Sequence, residues 1–326
     1  MKRREFITLL GGAAAALPLA ARAQQERMRR VGVLVYLADD DREGQARLAA
    51  FTQALSQLGW SEGRNLRIET RWANADDVRR HAAELVALAP DVILASGGTV
   101  VGALLEASRT TPIVFTLTVD PVGAGFVASL ARPGGNVTGF TGYEYGLGTK
   151  WLGLLKEIAP RVTRAAILRD ASIPQGIGQF AVIQAAAPSL GVELRSIDLR
   201  NADEIERGVS EFARDGNGGL IVTASALAIV HRDLIISLAA RHKLPAIYFQ
   251  HFFVNAGGLA AYGFDPIDPH RGAAAYVDRI LKGEKPGDLP VQVATKYELV
   301  INLQTARALG LEIPPSLLAR ADEVIE

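Results

Sequence analysis

The 326-residue chain has no cysteine, which excludes a disulfide framework, a thiolate metal site, a cysteine nucleophile and a lipidated cysteine behind a leader. Charge of one sign is not in excess. Lys and Arg together number 35 and Asp and Glu 35, so the basic footprint of a nucleic-acid-binding protein is missing. Histidine is scarce, and those at positions 81, 231, 242, 251 and 270 show no H-E-x-x-H spacing. A G-x-S-x-G elbow and a G-x-x-x-x-G-K-[ST] phosphate loop are also missing, so no enzyme activity, metal or cofactor is expected. Beyond residue 23 no uncharged apolar run reaches the roughly 18 residues of a membrane-spanning helix.

What is present begins with a leader. Met1 to Ala23 reads as an export signal: Lys2, Arg3 and Arg4 form a charged head, an apolar stretch runs from Ile7 to Ala20, and Ala21-Arg22-Ala23 puts small residues before a cleavage point at Gln24. Arg3-Arg4-Glu5-Phe6-Ile7 resembles the twin-arginine export motif, with an ordinary secretory signal as the alternative. Lys2, Arg3, Arg4 and Arg22 leave with the signal, as does Glu5, so the mature chain carries 31 bases and 34 acids. A slightly acidic, soluble periplasmic protein is expected.

The remainder, in a chain with 49% hydrophobic and 21% charged residues, alternates strands with helices and is long enough for two domains. Val31 to Leu37 is a nearly continuous apolar run, as in a strand buried on both faces of a parallel sheet. Gln45 to Leu58 has helical spacing and stops at Gly59, Leu66 to Trp72 alternates as a strand, and a helix over Asp76 to Leu88 precedes a short strand at Asp91 to Ala95. The same order restarts after residue 150. Leu190-Gly191 and the strand Glu193 to Leu199 correspond to Leu58-Gly59 and Leu66 to Trp72; Ala202-Asp203-Glu204 corresponds to Ala75-Asp76-Asp77. An internal repeat of a whole lobe follows, and the expected fold is α/β with two doubly wound parallel-sheet lobes and a cleft between them.

Between the repeats lies VDPVGAGFVASLARPGGNVTGFTG, Val119 to Gly142. Gly123, Gly125 and Ala128 spell G-x-G-x-x-A, but Pro121 separates them from the strand and no acidic residue closes a following strand, so a dinucleotide loop is not the reading. Arg132-Pro133-Gly134-Gly135-Asn136 is turn chemistry, and Val137 to Gly142 alternates β-branched or aromatic residues with small ones, as a crossing approached closely by other backbone would. This is hinge composition. Gly257 to Gly263 is the natural second crossing and Lys285-Pro286-Gly287-Asp288 introduces a third. The expected division is export signal 1–23, first lobe 24–141, second lobe 142–262, return to the first lobe 263–288, and a C-terminal strand-helix segment 289–326 of unassigned lobe.

The stretch 119–142, together with RHKLPAIY (241–248), GGLAAYG (257–263), RILKGEKPGDLPVQ (279–292) and YELVINLQTARALGLEIPPSLLARADEVIE (297–326), resembles the ABC-transporter substrate-binding proteins that include the tryptophan-binding TrpX type. The leader is similar to those of proteobacterial members. The resemblance covers nearly the whole mature chain and implies a type I periplasmic-binding-protein fold, two lobes joined by three crossings that close on a small solute. The implied partners are that solute and an inner-membrane ABC permease, and a monomer is expected. Arg169-Asp170-Ala171-Ser172-Ile173-Pro174 departs from the Asn-Pro-containing loop usual after that strand. A ligand-sensing receptor for a signalling partner, or an enzyme on the same fold, is the alternative function.

Ligands of doubly wound sheets lie beyond the carboxyl ends of the strands. That rule gathers Tyr36, Ser96, Gly97, Gly98, Thr99 and Asp120 from the first lobe, Asp170, Ser225 and Gln250 from the second, and Tyr143 and Tyr262 from the crossings. Ser96-Gly97-Gly98-Thr99 is the most specific element, because free N–H groups at a helix start favour a ligand carboxylate; ordinary helix capping is the alternative. Asp120 and Asp170 suit a ligand amine, or else an arginine or a turn. The three tyrosines suit aromatic walls with polar tips, or else hinge packing.

Overall fold

The computed structural model describes residues 28–142 and 144–326; the export signal and Tyr143 named above lie outside them. The first half runs β1 (Arg29–Val35), α1 (Arg42–Gln57), β2 (Leu66–Trp72), α2 (Val78–Ala87), β3 (Val92–Ser96), α3 (Gly98–Ala107), β4 (Ile113–Thr118) and β5 (Val137–Thr141). The order is then repeated by α4 (Leu147–Ile158), β6 (Arg164–Arg169), α5 (Pro174–Ala186), β7 (Glu193–Asp198), α6 (Ala202–Phe212), β8 (Gly218–Val222), α7 (Ala226–Val230), α8 (Arg232–Arg241), β9 (Ala246–Tyr248), α9 (His251–Asn255) and β10 (Ala260–Gly263). The chain ends with α10 (Ile267–Leu281), β11 (Gln292–Val293), β12 (Glu298–Asn302), α11 (Leu303–Ala308), α12 (Pro315–Leu318) and β13 (Glu323–Ile325).

Two sheets result, in the orders β11-β5-β4-β3-β1-β2 and β13-β12-β10-β9-β8-β6-β7. Their matching order is the sequence repeat made visible: β1 lies between β2 and β3 as β6 lies between β7 and β8, all parallel. Among the described residues the one antiparallel pair is β10 with β12. Helices cover both faces, which is why the last five residues of β1 and all of β3 and β8 are buried. The apolar runs of the sequence record that double coverage.

The C-terminal segment is shared between the lobes, since β11 joins the first sheet through β5 while β12 and β13 complete the second. Between-sheet passages therefore occupy 142–146, 264–266 and 294–297, just beyond the glycine-rich stretches. Val137 to Thr141 itself is a paired strand of the first sheet. The passages are tied to one another: Tyr262 stacks on Tyr297 at 6.0 Å, Phe264 meets Tyr297 edge-on, and the Tyr297 hydroxyl donates to the Gly142 carbonyl at 3.2 Å. Trp151 Nε1 adds a bond to the Tyr262 carbonyl at 2.8 Å.

Candidate functional site: an interlobe cleft

The carboxyl ends of the two sheets face one another across a cleft. It is lined from the first lobe by Tyr36, Leu37, Arg47, Ser96, Gly97, Gly98, Thr99 and Leu117, and from the second by Asp170, Ile173, Gln175, Ala224, Ser225, Ile229, Phe249 and Gln250 among others. The lobes touch at its rim. Asp41, which caps α1 by accepting from the Glu43 and Gly44 N–H groups, also accepts from Arg232 Nη1 of the second lobe at 2.6 Å. At the base, Arg47 Nη2 lies 3.5 Å from Gln250 Oε1.

Arg47 reaches the cleft because of helical spacing. Gly44, Arg47, Phe51 and Leu55 form the buried stripe of α1, so a guanidinium occupies a position that the pattern otherwise gives to apolar residues. Only 3% of it is exposed. Gln250 is buried as well, and its Nε2 has no hydrogen-bond partner among the described residues. A buried amide left in that state is costly unless something else completes it.

On the same wall, β3 ends at Ser96 and Gly97 turns the chain into α3 with φ 111°, a left-handed conformation that glycine adopts without strain. The Gly97 N–H donates to the Thr116 carbonyl at 3.0 Å. A Cβ on Gly97 would enter open space, whereas one on Gly98 would come within 3.8 Å of Gln175 Oε1 on the opposite lobe. Below the turn, Ser96 Oγ and Thr116 Oγ1 lie 3.1 and 3.0 Å from His270 Nε2. Burial, then the nearby Arg47 charge, push the His270 pKa down to about 3 against a weaker opposing bond to the Pro266 carbonyl, so the ring is neutral at physiological pH.

The facing wall carries the opposite charge. Asp170 immediately follows β6, is 7% exposed, and accepts at Oδ1 from the Ser172 N–H at 3.0 Å and its hydroxyl at 2.5 Å. Burial and then Asp170 raise the Tyr36 pKa, so the phenol stays protonated beside that carboxylate. Ser225 caps α7 by accepting from the Ala228 N–H at 3.0 Å.

Of the residues singled out in the sequence, Tyr36, Ser96, Gly97, Gly98, Thr99, Asp170, Ser225 and Gln250 meet in this one cleft. Asp120 does not: it lies in a separate surface pocket beside Tyr145 and accepts from the Gly123 N–H at 2.8 Å. Tyr262 packs in the hinge cluster. Arg47 and Gln175 escaped the sequence reading. Only Arg47 carried a signal that would have found it, a charge on the apolar stripe of an amphipathic helix.

Residues 30–325 match the family described as ABC transporter substrate binding protein. The chain is 27% identical over 264 residues to a tyrosine-binding protein of Clostridioides difficile (strain R20291), covering 80% of this chain and 76% of that one. Among solved structures, a conserved domain protein of Vibrio cholerae O1 biovar El Tor superposes with TM-score 0.85 at 28% identity, covering 91% of this chain and all of that one. An ABC domain from Streptococcus pneumonia in complex with L-Trp superposes with TM-score 0.84 at 24% identity over the same share of this chain and all of its own. A two-lobed fold, an interlobe cleft and a match over nearly the whole described chain agree: the protein belongs to the ABC transporter substrate-binding protein family.

Proposed function

We propose that the cleft captures a zwitterionic α-amino acid with an apolar or aromatic side chain, outside the cytoplasm, for delivery to an ABC permease. One observation carries the reading: among the described residues, the charged side chains lining the cleft are Arg47 on one lobe and Asp170 on the other. A carboxylate placed against Arg47 and the α3 start, with an ammonium toward Asp170, satisfies both walls at once and ties closure to the ligand. Leu117, Ile173, Ile229, Phe249 and Tyr36 leave the rest of the surface apolar or aromatic. The tyrosine-binding relative and the L-Trp complex support the same chemical class.

Calorimetric titration tests this. L-tryptophan and L-tyrosine should bind, while tryptamine, which lacks the carboxylate, and indole-3-propionate, which lacks the ammonium, should each bind at least about tenfold more weakly, a 1.4 kcal/mol difference. Equal binding of all four, or preference for a neutral sugar, would sink the proposal. Gly98→Val is the matching variant, because it adds bulk toward Gln175 without the backbone strain that Gly97→Val would bring.

Export by the twin-arginine route with cleavage after Ala23 belongs to the same proposal, supported by Arg3-Arg4-Glu5-Phe6-Ile7. Replacing Arg3 and Arg4 by lysine should leave uncleaved precursor in the cytoplasm; undiminished export would point to the general secretory route.

A further inference from the structure

His270 is 1% exposed and takes no direct part in the recognition proposed above. It stands on the first turns of α10, the helix that enters the first lobe from the second passage, and its Nδ1 lies 2.8 Å from the Pro266 carbonyl at the end of that passage. A carbonyl can only accept, so Nδ1 carries the hydrogen and the neutral ring leaves Nε2 as a bare lone pair. The two hydroxyls that face Nε2, of Ser96 and Thr116, are both buried and both belong to the Gly97 turn: Ser96 precedes it and Thr116 receives its N–H.

We propose that His270 is a positioning residue for the ligand, holding Ser96 and Thr116 by its Nε2 lone pair and thereby fixing the Gly97-Gly98 backbone at the carboxylate end of the cleft. The proposal rests on the amino-acid reading for what the turn receives, but not for the fixing itself. It has a chemical corollary. The two hydroxyls share the single Nε2 lone pair, and while Ser96 donates to it, its oxygen presents only lone pairs to the cleft and accepts from a ligand rather than donating to it. The carboxylate is then left to the α3 N–H groups and Arg47. Through Pro266 the same ring also connects a hinge passage to the binding surface, so the ligand seat and the passage share one hydrogen-bonded unit.

The test separates positioning from bulk stability by using two variants and two readouts. In ligand-free protein, His270→Leu should speed amide hydrogen exchange at Gly97 and Gly98 by at least about tenfold while exchange in the second sheet is unchanged. The same variant should weaken L-tryptophan and L-tyrosine binding by at least about tenfold. His270→Gln, whose side-chain oxygen can accept from the two hydroxyls, should restore both readouts to within about threefold of the parent protein. On a Ser96→Ala background His270→Leu should lose most of its effect on binding, since residues acting as a unit are non-additive. Unchanged exchange at the turn, or equal behaviour of the Leu and Gln variants, would overturn the proposal. If the parent protein binds neither amino acid, the functional reading falls while the exchange measurement still decides the positioning role. Should His270→Leu not fold, His270→Asn takes its place with the same expectation, because its shorter amide falls short of the hydroxyls.

Discussion

Arg47→Met is expected to weaken binding of L-tryptophan or L-tyrosine by about 100-fold or more. Methionine keeps most of the stem that fills the α1 stripe and removes only the charge, at a site where the guanidinium is 3% exposed. Truncating one member of a buried, hydrogen-bonded charge pair costs about 2–5 kcal/mol, and 100-fold is about 2.7 kcal/mol, near the low end of that range. Arg47→Lys should fall between the two, keeping charge but not the planar fork that meets a carboxylate with two bonds. Calorimetry of the three proteins with one ligand checks the order. Parent-like affinity in Arg47→Met would remove the guanidinium from ligand recognition and leave the α3 start as the sole carboxylate seat.

The reasons that Arg47 was hard to see in the sequence and Ser96-Gly97-Gly98 was easy are physical. A strand end followed by two glycines and a helix is a local arrangement that neighbouring residues announce, since glycine alone admits the φ of Gly97 without strain, whatever distant groups later hold the turn in place. Likewise the apolar runs at β1 and β3 reflect burial on both faces, which composition shows directly. Arg47 becomes a cleft residue only when α1 is laid against its sheet and the second lobe brings Gln250 to within 3.5 Å, 203 positions away in the chain. His270 was one of five scattered histidines until chain return placed it under Ser96. Tyr262 and Asp120 went the other way. An aromatic and a carboxylate beside a crossing look alike whether they face a ligand or a neighbouring loop, and here they face Tyr297 and the Gly123 N–H.

The alternation in Val137 to Gly142 is that of a strand approached closely by other backbone, and Gly139 has that geometry. It lies opposite Phe115 in the β4–β5 register with φ 155°, and a Cβ built on it would stand 2.1 Å from the Phe115 carbonyl oxygen and 2.6 Å from the Phe115 nitrogen. No rotamer change relieves a clash with backbone, so the two strands would have to part next to the first passage. Overpacking of a close-packed site costs about 1–3 kcal/mol and a strained φ a further 1–3 kcal/mol, so Gly139→Ala should lose about 2–6 kcal/mol. For a lobe of this size that corresponds to a fall in melting temperature of about 10 °C or more. Gly135→Ala is the control, since its Cβ would meet nothing within 4 Å and its φ lies outside the left-handed region; it should change stability by less than about 0.5 kcal/mol. Thermal unfolding of the two variants beside the parent decides the matter. If Gly139→Ala melts with Gly135→Ala, β4 and β5 are not held as closely as described, and the glycine at 139 serves the movement of the hinge rather than the packing of the strand.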